Sequence, residues 1–247
     1  MEKMTKEQLL ELLKNNGYSI SEEVHFGVSH LFELLDAQGN DDITAPLKWL
    51  EEKRAAYQVN TEEIGINNLD KWQIDSNTGN IAHESGKFFT ITGVRISGAK
   101  GREVLSWTQP MIKQNECGIL GIICKRINGV MHYLLYAKYE PGNVPNLQLS
   151  PTLQATASNL KQAHGGKKPM FSEYFEDGGR GKVLVSVVEV EDGGRFYLKT
   201  NRCMIVEVDE SINAPDDYIW LTMPQIKKFL KMDNMVNSLT RCVFGSR

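Results

Sequence analysis

The most constraining feature of this chain is the segment 118–140, GILGIICKRINGVMHYLLYAKYE, in which Asn128-Gly129 sits between two apolar runs. An Asn-Gly pair tolerates the positive φ angles of a two-residue turn, so the flanking runs are predicted to pair as a hairpin. Strand signals begin earlier, at Trp72, and run through KWQIDSNTGNIAHESGKFFTITGVRISG and REVLSWTQPMI. A second β block, KVLVSVVEVEDGGRFYLKTNRCMIVEVDE, carries Asp192-Gly193-Gly194 as the turn of another expected hairpin.

Helical patterns flank these blocks. Thr5-Lys6-Glu7-Gln8 reads as a capping box opening a helix to about Asn15, stopped by Gly17. Phe26, Leu31, Leu34 and Leu35 suggest a second helix ending near Gly39, and Thr44-Ala45-Pro46 opens a third. The segment 61–70 reads as a connector, and the stretch 148–166 as polar residues with helical spacing. Thr222-Met223-Pro224-Gln225 starts a closing helix whose apolar positions Ile226, Phe229 and Leu230 keep a 3.6-residue period. The expected class is α+β: a mixed, largely antiparallel sheet flanked by helices, with a helical segment over 1–70 and the sheet domain over 71–247.

At 247 residues and 41% hydrophobic composition the chain can bury a core. With 28 Lys+Arg against 31 Asp+Glu the net charge is −3, which argues against nucleic-acid phosphates or an anionic membrane as main partners. No apolar run approaches the ~20 residues that span a bilayer. The first residues lack a secretory signal, so a cytoplasmic location is expected. The four cysteines form no CxxC pair and the five histidines no HxH or HExxH pattern; neither zinc nor a disulfide framework is expected.

Three stretches carry chemistry-bearing side chains. The first is Lys138-Tyr139-Glu140-Pro141-Gly142-Asn143 followed by Gln148-Leu149-Ser150-Pro151-Thr152-Leu153-Gln154-Ala155-Thr156. Amide and hydroxyl groups at that density do little for a core, since each buried one needs a partner, but they suit sugar hydroxyls and a base edge. Strand alternation puts Tyr136, Lys138 and Glu140 on one face; a surface ion pair beside an ordinary loop would give the same pattern. The second is Arg195, Tyr197 and Lys199, alternating with Phe196, Leu198 and Thr200 on the second hairpin, a face suited to a phosphate and an oxyanion or simply an amphipathic edge strand. The third is the face Glu103, Leu105, Trp107 and Gln109, where Trp107 either stacks on a base or belongs to the core. The segment Gly178-Gly179-Arg180-Gly181 is a phosphate candidate or a plain loop.

Together these residues resemble the NDP-hexose 2,3-dehydratase family of deoxysugar biosynthesis. The matching pieces are Phe88-Phe89, Gly93-Val94-Arg95, Arg102-Glu103-Val104, Trp107-x-Gln109-Pro110, Ala137-Lys138-x-Glu140-Pro141-Gly142-Asn143 and Gln148-Leu149-Ser150-Pro151-Thr152-x-Gln154-Ala155-Thr156. They continue with Ser158-Asn159, Gly193-Gly194-Arg195-Phe196-Tyr197, Asn201-Arg202 and Ile205-Val206-Glu207-Val208. The resemblance implies a Nudix-like fold, although the REx₂EExG segment that holds magnesium in Nudix hydrolases is absent. Familiar members carry the motif set twice and this chain carries it once, so a homodimer standing in for the tandem pair is expected. The implied reaction is elimination of water across carbons 2 and 3 of an NDP-4-keto-6-deoxyhexose, with dTDP-4-keto-6-deoxyglucose as the expected substrate. No cofactor is required, because the carbonyl is the electron sink, and the 3,4-diketo product would pass to an NAD(P)H-dependent ketoreductase. The candidate catalytic residues are Glu140 as base, with Lys138 or Tyr197 polarising the keto oxygen or protonating the leaving hydroxyl. Arg195 and Arg102 are candidates for the diphosphate, Trp107 for the base, and Gln109, Asn143, Gln148, Gln154 and Asn201 for hydrogen bonds to sugar or base. The alternative is a non-catalytic nucleotide-sugar-binding subunit that partners a dehydratase or ketoreductase.

Overall fold

The computed structural model describes residues 4–156, 160, 168–209 and 211–246; Ser158, Asn159 and most of the polar stretch after Thr156 lie outside them. Three helices come first: α1 (Lys6–Asn15), α2 (Glu22–Asp36) and α3 (Thr44–Ala56). Strands β1 (Trp72–Ile74), β2 (Ile81–His83), β3 (Thr90–Ile96), β4 (Trp107–Lys113), β5 (Gly118–Ile127), β6 (Val130–Tyr139), β7 (Leu147–Ser150) and β8 (Leu153–Thr156) follow. Then come β9 (Lys182–Val190), β10 (Phe196–Tyr197), β11 (Thr200–Glu207) and β12 (Tyr218–Thr222), with α4 (Met223–Leu230) and α5 (Ser238–Gly245) closing the chain. The class is α+β, as the periodicities indicate.

The described chain forms two compact units that interleave along the sequence: one drawn from residues up to 57, from 123–150 and from 208–237, the other from 58–122, 151–207 and 238 onward. In the first unit β6 is central. It pairs with β12 on one side, and β7 also pairs along its C-terminal half, both antiparallel. The turn to β6 is the Asn128-Gly129 hairpin, with Ile127 opposite Val130 and both turn residues at positive φ (50° and 81°). Leu50, Leu134, Leu135, Leu149, Ile226 and Phe229 are fully buried or nearly so. Helix α1 has the expected capping box between Thr5 and Gln8, and α4 has a second between Thr222 and Gln225.

In the second unit β1, β2, β3 and β4 form an antiparallel meander, and β10 joins β4 in parallel. The start of β5 pairs with β8, and β9 pairs with β11. Three expectations are corrected here. Asp192-Gly193-Gly194 does turn the chain between β9 and β11, which pair antiparallel from Val190 opposite Thr200, but the residues after the turn do not run on as one strand: the two-residue β10 joins β4, and the chain returns at Leu198, which takes a φ of 57°, to enter β11. Arg195, Tyr197 and Lys199 therefore share no strand face. Residues 147–156 are two strands rather than helix; buried Leu147, Leu149, Leu153 and Ala155 outweigh the polar spacing. Likewise β4 starts only at Trp107, so Glu103 and Leu105 lie outside the strand that carries Trp107 and Gln109.

Gly121 shows why the apolar run needs a small residue. A Cβ there would fall on the ring of Phe175, which is 3% exposed. Gly121→Ala is expected to destabilise the protein by about 1–3 kcal/mol through overpacking, read as a lower midpoint in urea denaturation.

Candidate functional site

Within the first unit, the end of β6 and the turn that follows it gather four of the side chains singled out by the sequence, Lys138, Glu140, Asn143 and Gln148. Alternation along β6 places Tyr136 and Lys138 on one face, and the cross-strand register sets Tyr136 opposite Ser150 and Lys138 opposite Gln148. The chain then turns at Pro141-Gly142. Glu140 O accepts from Asn143 N at 3.0 Å, and Asn143 Nδ2 reaches Lys138 O at 3.4 Å and Asn146 O at 3.3 Å. Asn143 thus braces the turn from inside. Gln148, 8% exposed, donates from Nε2 to Val144 O at 3.4 Å.

The turn aims the Glu140 carboxylate between two donors. Lys138 Nζ lies 3.1 Å from Oε1, and Asn237 Nδ2 donates to Oε2 at 2.9 Å. The Lys138 and Glu140 side chains are 25% and 29% exposed, so a ligand can reach them while most of their surface is shielded. Asn237, 3% exposed, is held by its own backbone, whose N–H bonds to Leu149 O at 3.0 Å. The segment before it is clamped by Arg54 of α3, which donates to Leu147 O at 2.9 Å and Asn234 O at 3.2 Å. Tyr57, just past α3, stacks on Tyr139 with centroids 5.4 Å apart.

A second feature of this sheet is aromatic. Tyr136 stacks on Tyr218, its cross-strand partner, at 4.6 Å with an interplanar angle of 13°. Burial and the neighbouring Asp217 carboxylate push the Tyr136 phenol up from its usual range, and burial and Tyr136 push Tyr218 higher still. Asp217 Oδ1 is buried without a hydrogen-bond partner among the described residues.

Asn237, Arg54, Tyr57 and Asp217 escaped the sequence reading. Each lies far along the chain from residues 138–143, and a lone Asn or Arg in a polar segment carries no local signal. Only the pairing of β12 and β7 on β6 and the return of the chain at 234–237 bring them in.

The remaining candidates belong to the second unit. Arg102 lies over the Trp107 ring at 5.6 Å, Trp107 Nε1 donates to Gln109 Oε1 at 2.7 Å, and Gln109 Nε2 donates to Gly194 O at 3.0 Å. Arg195 NH1 reaches the same Gly194 carbonyl at 3.4 Å. Four of the named residues are therefore brought together, Arg102 from the segment before β4, Trp107 and Gln109 on β4, and Arg195 from the loop before β10. Tyr197 is on β10 and 38% exposed, and Gln154 is on β8 opposite Leu120. Asn201 is 6% exposed and donates to Glu191 Oε2 at 3.0 Å, with its carbonyl oxygen against Gly118. Lys199 is buried and bonds to Glu116 O, so it offers no exposed cation; burial pushes its ammonium below the usual range. The Gly178-Gly179 loop borders a cavity of about 930 Å³ with Lys168 and Arg202, which bond to Glu176 and Ser186.

The arrangement in the first unit suits proton removal next to a carbonyl. A carboxylate whose two oxygens are fixed presents a defined basic edge, and an ammonium 3.1 Å away can hold the oxygen on which charge develops.

The tyrosine pair gives a direct check on the sheet. In an alkaline titration followed at 295 nm, Tyr136 and Tyr218 are expected to be among the tyrosines, eight in all, that ionise above the ordinary phenol range. Because their folded-state affinity for protons is raised, the stability they contribute is complete below the unfolded phenol value near pH 10 and is lost as pH rises above it. Tyr136→Phe should remove one late-titrating group. Eight tyrosines ionising together would contradict the buried stack.

Comparison with known proteins bears on these residues. A family model described as NDP-hexose 2,3-dehydratase matches residues 44–246, a span that includes α3 and every strand. A dTDP-4-dehydro-6-deoxy-alpha-D-glucopyranose 2,3-dehydratase of Saccharopolyspora spinosa is 47% identical over 197 residues, covering 80% of this chain and 40% of that protein. One of the same name from Amycolatopsis orientalis is 42% identical over 201 residues, covering 80% and 43%. The chain thus spans about two-fifths of the length of the curated relatives it matches. A crystal structure described as an ADP compounds hydrolase covers 72% of this chain and 92% of its own at 13% identity and a TM-score of 0.43, too weak a likeness to settle the fold family. On the family match and the two relatives, the chain belongs to the NDP-hexose 2,3-dehydratase family.

Proposed function

We propose that this chain eliminates water across carbons 2 and 3 of an NDP-4-keto-6-deoxyhexose, acting as a carbon–oxygen lyase with Glu140 as the base. The observation that carries the reading is the Glu140 carboxylate fixed between Lys138 Nζ and Asn237 Nδ2. The family match and relatives named for dTDP-4-dehydro-6-deoxy-glucopyranose support that sugar nucleotide as substrate. The C4 ketone acidifies the hydrogen on carbon 3. Glu140 takes that proton, the electron pair forms the C3–C4 enolate, and the Lys138 ammonium holds the enolate oxygen. As the enolate collapses, a C2–C3 double bond forms, the C2–O bond breaks, and Lys138 supplies the proton with which the hydroxyl departs as water. The resulting enol tautomerises to a 3,4-diketo-2,6-dideoxyhexose. The carbonyl is the electron sink throughout.

The product is a reactive vicinal diketone, so a ketoreductase using NAD(P)H is the class of enzyme that would consume it. The working assembly in this reading is a pair of identical chains.

The test pairs binding with turnover. Glu140→Gln keeps the shape and the Asn237 contact but removes the basic charge. It should bind dTDP-4-keto-6-deoxyglucose with nearly wild-type affinity by calorimetry and lose about 10²–10⁴ in turnover, read as NADPH consumed by an added ketoreductase. A turnover within a few-fold of wild type would remove Glu140 from the base role. Tight binding by the wild type with no turnover at all would favour the binding-subunit reading.

A further inference from the structure

In the second unit, β9 pairs with β11 along one edge and with no described strand along the other. Of its nine residues only Val185 is buried. Val183 is 53% exposed, Leu184 37%, Val187 39%, Val188 48% and Val190 66%. Five large apolar side chains on one unpaired edge are unusual, because a bare hydrophobic edge strand invites pairing with another chain. The edge has little of the usual protection. A bulge at Leu184, where the β11 register steps between Ile205 and Val206, disturbs only its beginning, and Val185 to Val190 run regularly.

The charges on this strand indicate what covers it. Lys182 stands at the N-terminal end and Glu189 near the C-terminal end, both exposed and neither in an ion pair among the described residues. Glu191 just beyond is already bonded to Asn201. Two copies of this strand laid antiparallel bring the basic end of each against the acidic end of the other, with the valines between them. A parallel arrangement would set like charges together. The strand is therefore complementary to itself under a two-fold axis, which is the requirement of an isologous interface. A nucleic acid would find no basic excess here, and a lone helix would leave the edge N–H and C=O groups unpaired.

We propose that β9 is the surface on which a second copy of this chain docks, antiparallel strand against strand. This rests on the paired-chain reading given above and assigns that pair its interface; it is independent of the reaction.

Sedimentation equilibrium on the full chain tests both levels. The wild type should have twice the 27.9 kDa chain mass. Val188→Glu and, as a second and more exposed site, Val190→Lys should each shift the population to the single-chain mass with an unchanged far-UV circular dichroism spectrum. Lys182→Glu should weaken association several-fold, more so at low salt, and Lys182→Glu combined with Glu189→Lys should restore it. A wild type of single-chain mass would overturn the paired-chain reading and this interface together. A wild-type dimer that survives both valine substitutions, or that the charge exchange fails to restore, would overturn the β9 interface and leave the pairing intact.

Discussion

Everything proposed for the chemistry depends on one constraint: the Glu140 carboxylate is held at both oxygens, by Lys138 Nζ at 3.1 Å and Asn237 Nδ2 at 2.9 Å. A lone exposed Lys–Glu pair is worth little, since solvent screens it and two long side chains lose freedom to make it. Here both partners are three-quarters or so shielded, and the third participant is a buried amide whose backbone is locked to β7. The orientation is thus imposed by the fold rather than by the ion pair. Preorganisation of that kind turns a common surface contact into a group able to remove a proton at a fixed position.

The supporting shell is built on backbone carbonyls that accept from side-chain donors. Arg54 serves Leu147 and Asn234, Asn143 serves Lys138 and Asn146, and Gln148 serves Val144. The polar density of residues 138–150 therefore has two uses. Much of it is consumed in stiffening the turn, which leaves Glu140 and Lys138 as the accessible chemistry-bearing pair. The cluster in the second unit shows the same economy: Gln109 spends its amide on Gly194 and its carbonyl on Trp107.

The elements legible in the sequence are those fixed by local physics. Asn128-Gly129 needs positive φ at both positions, and the Thr5 and Thr222 capping boxes satisfy helix-end amides within four residues. The Tyr136–Lys138 alternation is likewise a property of one strand, although Glu140, expected on the same face, falls just past the end of β6. What was not legible depends on long-range pairing. The stretch 148–166 reads as polar residues with helical spacing, yet cross-strand partners on β6 and β5 make strands of its first part, to Thr156, and bury Ser150 and Thr152. Residues 195–200 read as one alternating strand after the Asp192-Gly193-Gly194 turn, yet β4 offers a parallel edge that captures Phe196 and Tyr197. Asn237, 97 residues from Glu140, has no signature short of the fold itself.

The most direct test of the account is hydrogen exchange at carbon 3 of the sugar. With dTDP-4-keto-6-deoxyglucose in deuterium oxide, recovered substrate examined by proton NMR should show deuterium entering that position with the wild type and not with Glu140→Gln. Exchange that continues at the wild-type rate in the variant, or that never occurs while the wild type binds and turns over its substrate, would contradict a fixed Glu140 carboxylate acting as the base.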